Sequence, residues 1–80
     1  MISLKDILTD LAKAIVDNPD QVTVTEQQDN DGNVLLTLTV APDDMGMVIG
    51  RQGRIAKEIR TVVRSYAQRT GVKVSVDIVD

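Results

Sequence analysis

The sequence predicts an α+β two-layer sandwich in which three strands pack against three helices in the order αββααβ. Three observations carry that expectation. Apolar residues recur at helical spacing in two segments, near the N-terminus and after residue 54. Apolar and polar residues alternate with period two in three others, around 22–25, 34–40 and 72–78. Gly, Pro and Asn/Asp clusters separate these segments. Three strands are too few to enclose a core, so helices must cover one face of the sheet.

Ser3 followed by Asp6 makes a helix N-cap with an acid at its third position. Leu4, Ile7, Leu8, Leu11 and Ile15 then line one side of an amphipathic helix over about residues 4 to 17, stopped by Asn18-Pro19-Asp20. Val22 and Val24 alternate with Thr23 and Thr25 in a half-buried strand. Asp29-Asn30-Asp31-Gly32-Asn33 is the hairpin loop that ends it. The acids there faintly resemble a calcium loop, but Val40 stands where the bidentate Glu is needed, so no metal is expected. Val34 to Val40 reads as the central, best-buried strand and stops before Pro42.

Pro42, Asp43 and Asp44 start a short helical segment, Asp43 to Ile49, with two acids at its positive dipole end. From Arg54 a long helix follows. Ile55, Ile59, Val62 and Tyr66 share one face and Lys57, Arg60 and Arg64 the opposite one. Val63 and Ala67 lie at the edge of the apolar stripe, in the core or at an oligomer interface. Tyr66, the sole aromatic, is assigned to the core and not to base stacking. Gly71 is the C-cap, and Val72, Val74, Val76 and Ile78 alternate with Lys73, Ser75 and Asp77 in the last strand.

Composition narrows the function. The 80 residues are 42% hydrophobic and 26% charged, a globular balance with room for one core. Cysteine and histidine are absent, which removes disulfides, thiolate nucleophiles, the usual zinc ligands and the side chain most used for acid-base chemistry near neutral pH. The sequence has no signal peptide and no apolar run long enough for a membrane span, so a cytoplasmic location and no membrane partner are expected. A net charge of −3 speaks against nucleic acid only until it is divided. Residues 1–50 hold two basic and nine acidic side chains, net −7, and residues 51–80 hold seven basic and three acidic, net +4.

The basic part opens with Gly50-Arg51-Gln52-Gly53, a Gly-x-x-Gly loop between two helical segments. Glycines at both ends let the backbone approach a ligand closely. The amides and dipole of the following helix favour an anion there, and Arg51 and Arg54 add full charge. Such a loop suits a phosphate or a phosphodiester backbone. It follows a helix instead of a strand, and it lacks the spacings of dinucleotide and nucleoside-triphosphate loops.

The stretch Gly46-Met47-Val48-Ile49-Gly50-Arg51-Gln52-Gly53-Arg54-Ile55 resembles the signature of KH domains. The element order is similar to their prokaryotic, type II arrangement. The resemblance spans essentially the whole chain, residues 1–80 as a single KH domain, and points to the small single-domain bacterial KH proteins of the KhpA type. It implies a non-enzymatic protein that binds single-stranded RNA, with the loop clamping about four nucleotides by their backbone. Carried over by position, Gly50 and Gly53 would admit the phosphates and Arg51 and Gln52 would project to the backbone. Apart from the resemblance, Lys57, Arg60 and Arg64 either extend the cationic face that begins at Arg51 and Arg54 or form an ordinary solvated helix face. The resemblance further implies a homodimer and pairing with a larger KH protein of the Jag type, and no cofactor. RNA chaperone or post-transcriptional regulation is the implied role. Neutral Gln52, where many such loops carry a second basic or flexible residue, predicts weak binding. Low sequence selectivity is expected of the module, and with Tyr66 assigned to the core the bases would rest on aliphatic side chains.

Two other classes compete with this reading. One is a protein-interaction module that keeps the scaffold and works through a helical or strand-edge dimer surface. The other is an enzyme using Asp43 and Asp44 with magnesium. Adjacent acids on a helix diverge, and no second cluster completes such a site.

Overall fold

The computed structural model describes residues 3–79, and of Arg51 the main chain alone. Helix α1 (Leu4–Ile15) precedes a β1 (Thr23–Gln28) and β2 (Val34–Thr39) hairpin, followed by α2 (Met45–Ile49), α3 (Arg54–Arg69) and β3 (Val74–Val79). This is the expected αββααβ order. The sheet order is β1-β2-β3, with β1 antiparallel and β3 parallel to the central β2. Val34, Leu36 and Leu38 turn one face of β2 into the core, where they meet Leu8 and Ala12 of α1, Val48 of α2, Ile59 and Val63 of α3, and Val76 of β3.

The Ser3 hydroxyl caps α1 by accepting the Asp6 N–H at 3.1 Å. The helix ends at Ile15, before the expected residue 17. Val16 is extended (φ −88°, ψ 159°) and Asn18 precedes Pro19, whose ring disfavours helical conformation in the residue before it. In the hairpin loop, Asp29 Oδ1 accepts the N–H groups of Asp31 and Asn33, both at 2.9 Å, and Oδ2 accepts the Asn33 Nδ2–H at 2.9 Å. The Asn33 amide side chain and backbone hold the Asp29 carboxyl below its ordinary pKa. The loop's first acid is thus the hub of its own turn.

Asp44 departs from expectation. Its sequence position suggested a charge placed for the helix dipole, yet it is 1% exposed. Its Oδ2 accepts the Asn18 N–H at 3.0 Å and the Asn18 Nδ2–H at 3.1 Å, which pins the segment after α1 to the start of α2. Asp44→Ala would strand both donors in a partly buried setting and is expected to cost about 1–3 kcal/mol in urea denaturation. Asp44→Asn keeps an acceptor oxygen and should recover most of that loss.

Helix α3 corrects the sequence reading most. Its buried residues are Ala56, Ile59, Val63 and Ala67, whereas Val62 is 48% and Tyr66 36% exposed. The apolar arc of the helix is wider than the sheet and α1 can cover. At roughly 100° per residue, the covered part is turned toward the alanines. Small side chains at Ala56 and Ala67 let the helix come close, and the larger Val62 and Tyr66 are left on its flank. The C-terminus closes as expected: Gly71 takes φ 76° while the Val72 N–H reaches the Ala67 carbonyl at 3.1 Å and the Gly71 N–H that of Gln68 at 3.2 Å.

Candidate nucleic-acid interface

The α2–α3 junction is built around two glycines with different duties. Gly50 ends α2, donating its N–H to the Gly46 carbonyl at 2.9 Å, and turns the chain with φ 68°, ψ −173°. That backbone conformation belongs almost entirely to glycine. A Cβ there would collide with the Ile55 side chain, lying 3.0 Å from its Cβ and 3.2 Å from its backbone nitrogen. The loop is therefore folded back against the first turn of α3. Gly53 also has positive φ (73°), but a Cβ on it would meet nothing within 4 Å. Its surface is open to a ligand.

Between them, Arg51–Gly53 forms one tight turn in which Gln52 is left-handed (φ 57°, ψ 29°). It is the sole non-glycine residue with positive φ among the described residues, a conformation costing about 1 kcal/mol. The side chain of Arg51, the loop's expected charged finger, lies outside the described residues. Gln52 is exposed.

The start of α3 is electrostatically uncompensated. Gly53 is its N-cap and supplies no side-chain acceptor, and its first turn holds no acid. The N–H groups of that turn lack intrahelical partners, so the dipole's positive end faces outward. Arg54 and Lys57 are both exposed beside it. Arg54 Nε lies 3.7 Å from Glu58 Oε1, an exposed pair worth at most about 1 kcal/mol, which leaves the cationic character of the corner largely intact. Lys57, Arg54, Glu58, Thr61 and Val62 line a shallow groove of about 480 Å³.

The fold thus brings together the predicted Gly50, Gln52, Gly53, Arg54 and Lys57 at one corner. Two features escaped the sequence reading. Ile55 is the wall behind Gly50, and Met47 and Ile49, 41% and 38% exposed at the end of α2, put aliphatic surface next to the loop. Their spacing of two residues around buried Val48 was the available signal. Arg60 donates its Nε–H to the Val76 carbonyl of β3 at 3.1 Å.

Among known proteins, the family described as KhpA/KhpB, KH domain, matches residues 5–78. The RNA-binding protein KhpA of Clostridium acetobutylicum is 47% identical over 76 residues, covering 95% of this chain and 100% of the relative. The protein of the same name from Aquifex aeolicus is 41% identical over 80 residues, the full length of both. Among solved structures, Era in complex with MgGDPNP and nucleotides 1506–1542 of 16S ribosomal RNA superposes with a TM-score of 0.64 at 16% identity, over 94% of this chain and 28% of Era. At that identity the likeness concerns the fold.

Proposed function

The chain belongs to the KhpA/KhpB family of KH domains, and from that membership we propose that it is a non-enzymatic, cytoplasmic protein of one KH domain that binds single-stranded RNA. The loop from Gly50 to Gly53 grips the phosphate backbone, and low sequence selectivity follows from contacts made to phosphates. The role served is that of an RNA chaperone or post-transcriptional regulator. The observation that carries the reading is the bare N-terminus of α3: a left-handed glycine cap, no acid in the first turn, and Arg54 and Lys57 alongside. An anion placed there meets unpaired amides, a positive dipole end and two full charges. Met47 and Ile49 supply the aliphatic surface on which bases would rest.

Fluorescence anisotropy with labelled oligouridine tests the grip. The double variant Arg51→Asp, Gln52→Asp replaces a cation and a neutral donor by two anions and should weaken binding at least about tenfold, the worth of one charge-assisted hydrogen bond. Affinity of the parent should also fall steeply as salt rises, because phosphate contacts release counterions. A folded double variant that binds like the parent would remove the loop from the mechanism.

Self-association is part of the proposal, with the exposed Val62–Tyr66 flank of α3 as its surface. Thr61, Val62, Ser65, Tyr66 and Arg69 line a groove of about 290 Å³ there. Glu58 and Arg69 flank it with opposite charges, so two antiparallel copies of the helix would be complementary. The same flank is the surface proposed for pairing with a larger KH protein of the Jag type. It also supports the rival reading of a pure protein-interaction module. That rival prevails if light scattering gives a tight dimer and anisotropy detects no RNA binding at low salt.

A further inference from the structure

The exposed side of α3 carries two stripes of different character. At about 100° per residue, Glu58, Val62, Ser65 and Arg69 fall in one line with the alternating spacing of four and three residues that marks a helix–helix seam. Thr61 and Tyr66 stand on either side of it. Arg54, Lys57, Thr61, Arg64 and Gln68 form a second exposed line, about 90° round the helix from the first. The buried line, Ala56, Ile59, Val63 and Ala67, is turned away from both, toward the sheet and α1.

The first line is self-complementary. A two-fold axis crossing α3 between Val63 and Arg64 sets Glu58 against Arg69 of a second copy, Val62 against Ser65 and Thr61 against Tyr66. Opposite charges then close both ends of the seam. The grooves of about 480 and 290 Å³ along this flank meet at Thr61 and Val62, so the approach is open from Arg54 to Arg69. Helices joined at this seam are antiparallel, and the axis stands perpendicular to the pair. The Arg54–Lys57–Arg64 lines of both copies therefore lie on one face of the dimer, with the sheets behind. Gly53 is about 16 Å along α3 from the axis, which puts the two glycine loops about 30 Å apart at opposite ends of that face. The same axis reverses strand direction, so segments held by the two loops run antiparallel.

We propose that the ligand of this dimer is an RNA offering two single-stranded segments of opposite polarity, one for each glycine loop, as a strand that doubles back or the two flanks of a stem do. The inference rests on the RNA-binding and self-association readings above. Each loop holds about four nucleotides, and neutral Gln52 makes each grip weak. Once one segment is held, binding of the other is intramolecular, and the tether supplies an effective concentration in the millimolar range. Arg54, Lys57 and Arg64 of both copies give the connecting strand a cationic track between the loops.

The test uses the full chain and labelled oligouridine segments of about six nucleotides, single or joined in pairs by a flexible glycol spacer able to span about 30 Å. The pairs are joined 3′ to 5′, 3′ to 3′ or 5′ to 5′. One of the two inverted linkages is expected to bind the parent about tenfold or more tighter than the single segment, and tighter than the 3′ to 5′ linkage. Tyr66→Asp and Arg69→Glu, both remote from the glycine loop, should give monomers by light scattering. They should bind the single segment within about twofold of the parent and lose the gain from linkage beyond the statistical factor of about two. Two variants guard against a folding defect in one, and thermal melting verifies each. Linked probes that bind the parent no better than the statistical factor, a 3′ to 5′ linkage that exceeds both inverted ones, or a gain retained by the monomeric variants overturns the inference while the RNA-binding reading stands. A monomeric parent, or variants that stay dimeric, overturns it through the seam. Binding of no probe overturns the RNA-binding reading and this inference with it.

Discussion

Gly50→Ala is expected to lower stability by about 2–5 kcal/mol, the sum of a strained backbone and an overpacked contact. A β-carbon at φ 68°, ψ −173° is unfavourable by itself, and it would be driven into Ile55, whose Cβ and backbone nitrogen are part of the α3 framework and cannot swing aside. Set against a total of about 5–15 kcal/mol for a folded domain, this is a large fraction. The melting temperature should drop by roughly 10–30 °C, which circular dichroism would follow. Gly53→Ala carries only the left-handed backbone cost of about 1–2 kcal/mol, since its β-carbon meets open space. The Gly53 variant should stay folded while losing RNA affinity, because the added methyl occupies the ground that a phosphate needs. Equal melting of the two variants would refute this division of labour.

Val63→Asp and Val62→Asp, neighbours in sequence, should behave as opposites. Val63 is fully buried in the core cluster with Leu8, Leu36 and Ile59, so a carboxylate there has neither water nor a partner. The loss is expected to exceed about 4 kcal/mol and to leave the chain largely unfolded at room temperature. Val62 is 48% exposed, and an aspartate there should change monomer stability by about 0.5 kcal/mol or less. On the proposed dimer it would place two like charges face to face, so light scattering should find a folded monomer. Unfolding of Val62→Asp would return that residue to the core assigned to it from the periodicity.

The elements were legible because each has a local cause. The Ser3 cap, Pro19, the Asp29–Asn33 turn, Pro42 and Gly71 act within a few residues of themselves, and strand alternation in Val34–Val40 needs no knowledge of the partner. The Gly50–Gly53 corner was legible for the same reason: the two glycines and the start of α3 are contiguous. Less legible were the contacts that join distant segments. Asp44 sits at a helix start in sequence, and nothing local shows that Asn18 will bury it. Arg60 belongs to a charged helix face until β3 arrives beside it with an unpaired carbonyl.

By itself, then, the amino-acid sequence determined the order of elements, their approximate ends, the covered sheet and the glycine loop at the head of a basic helix, because backbone hydrogen bonding and side-chain period are set within a turn or two of chain. Only the tertiary structure decided which arc of α3 is buried. That depends on how closely two layers can approach, and the alignment of Ala56, Ile59, Val63 and Ala67 won over the bulkier line through Val62 and Tyr66. The same approach distance gave Gly50 its contact with Ile55 and Arg60 its hold on Val76, so the proposed phosphate grip is a product of packing as much as of motif.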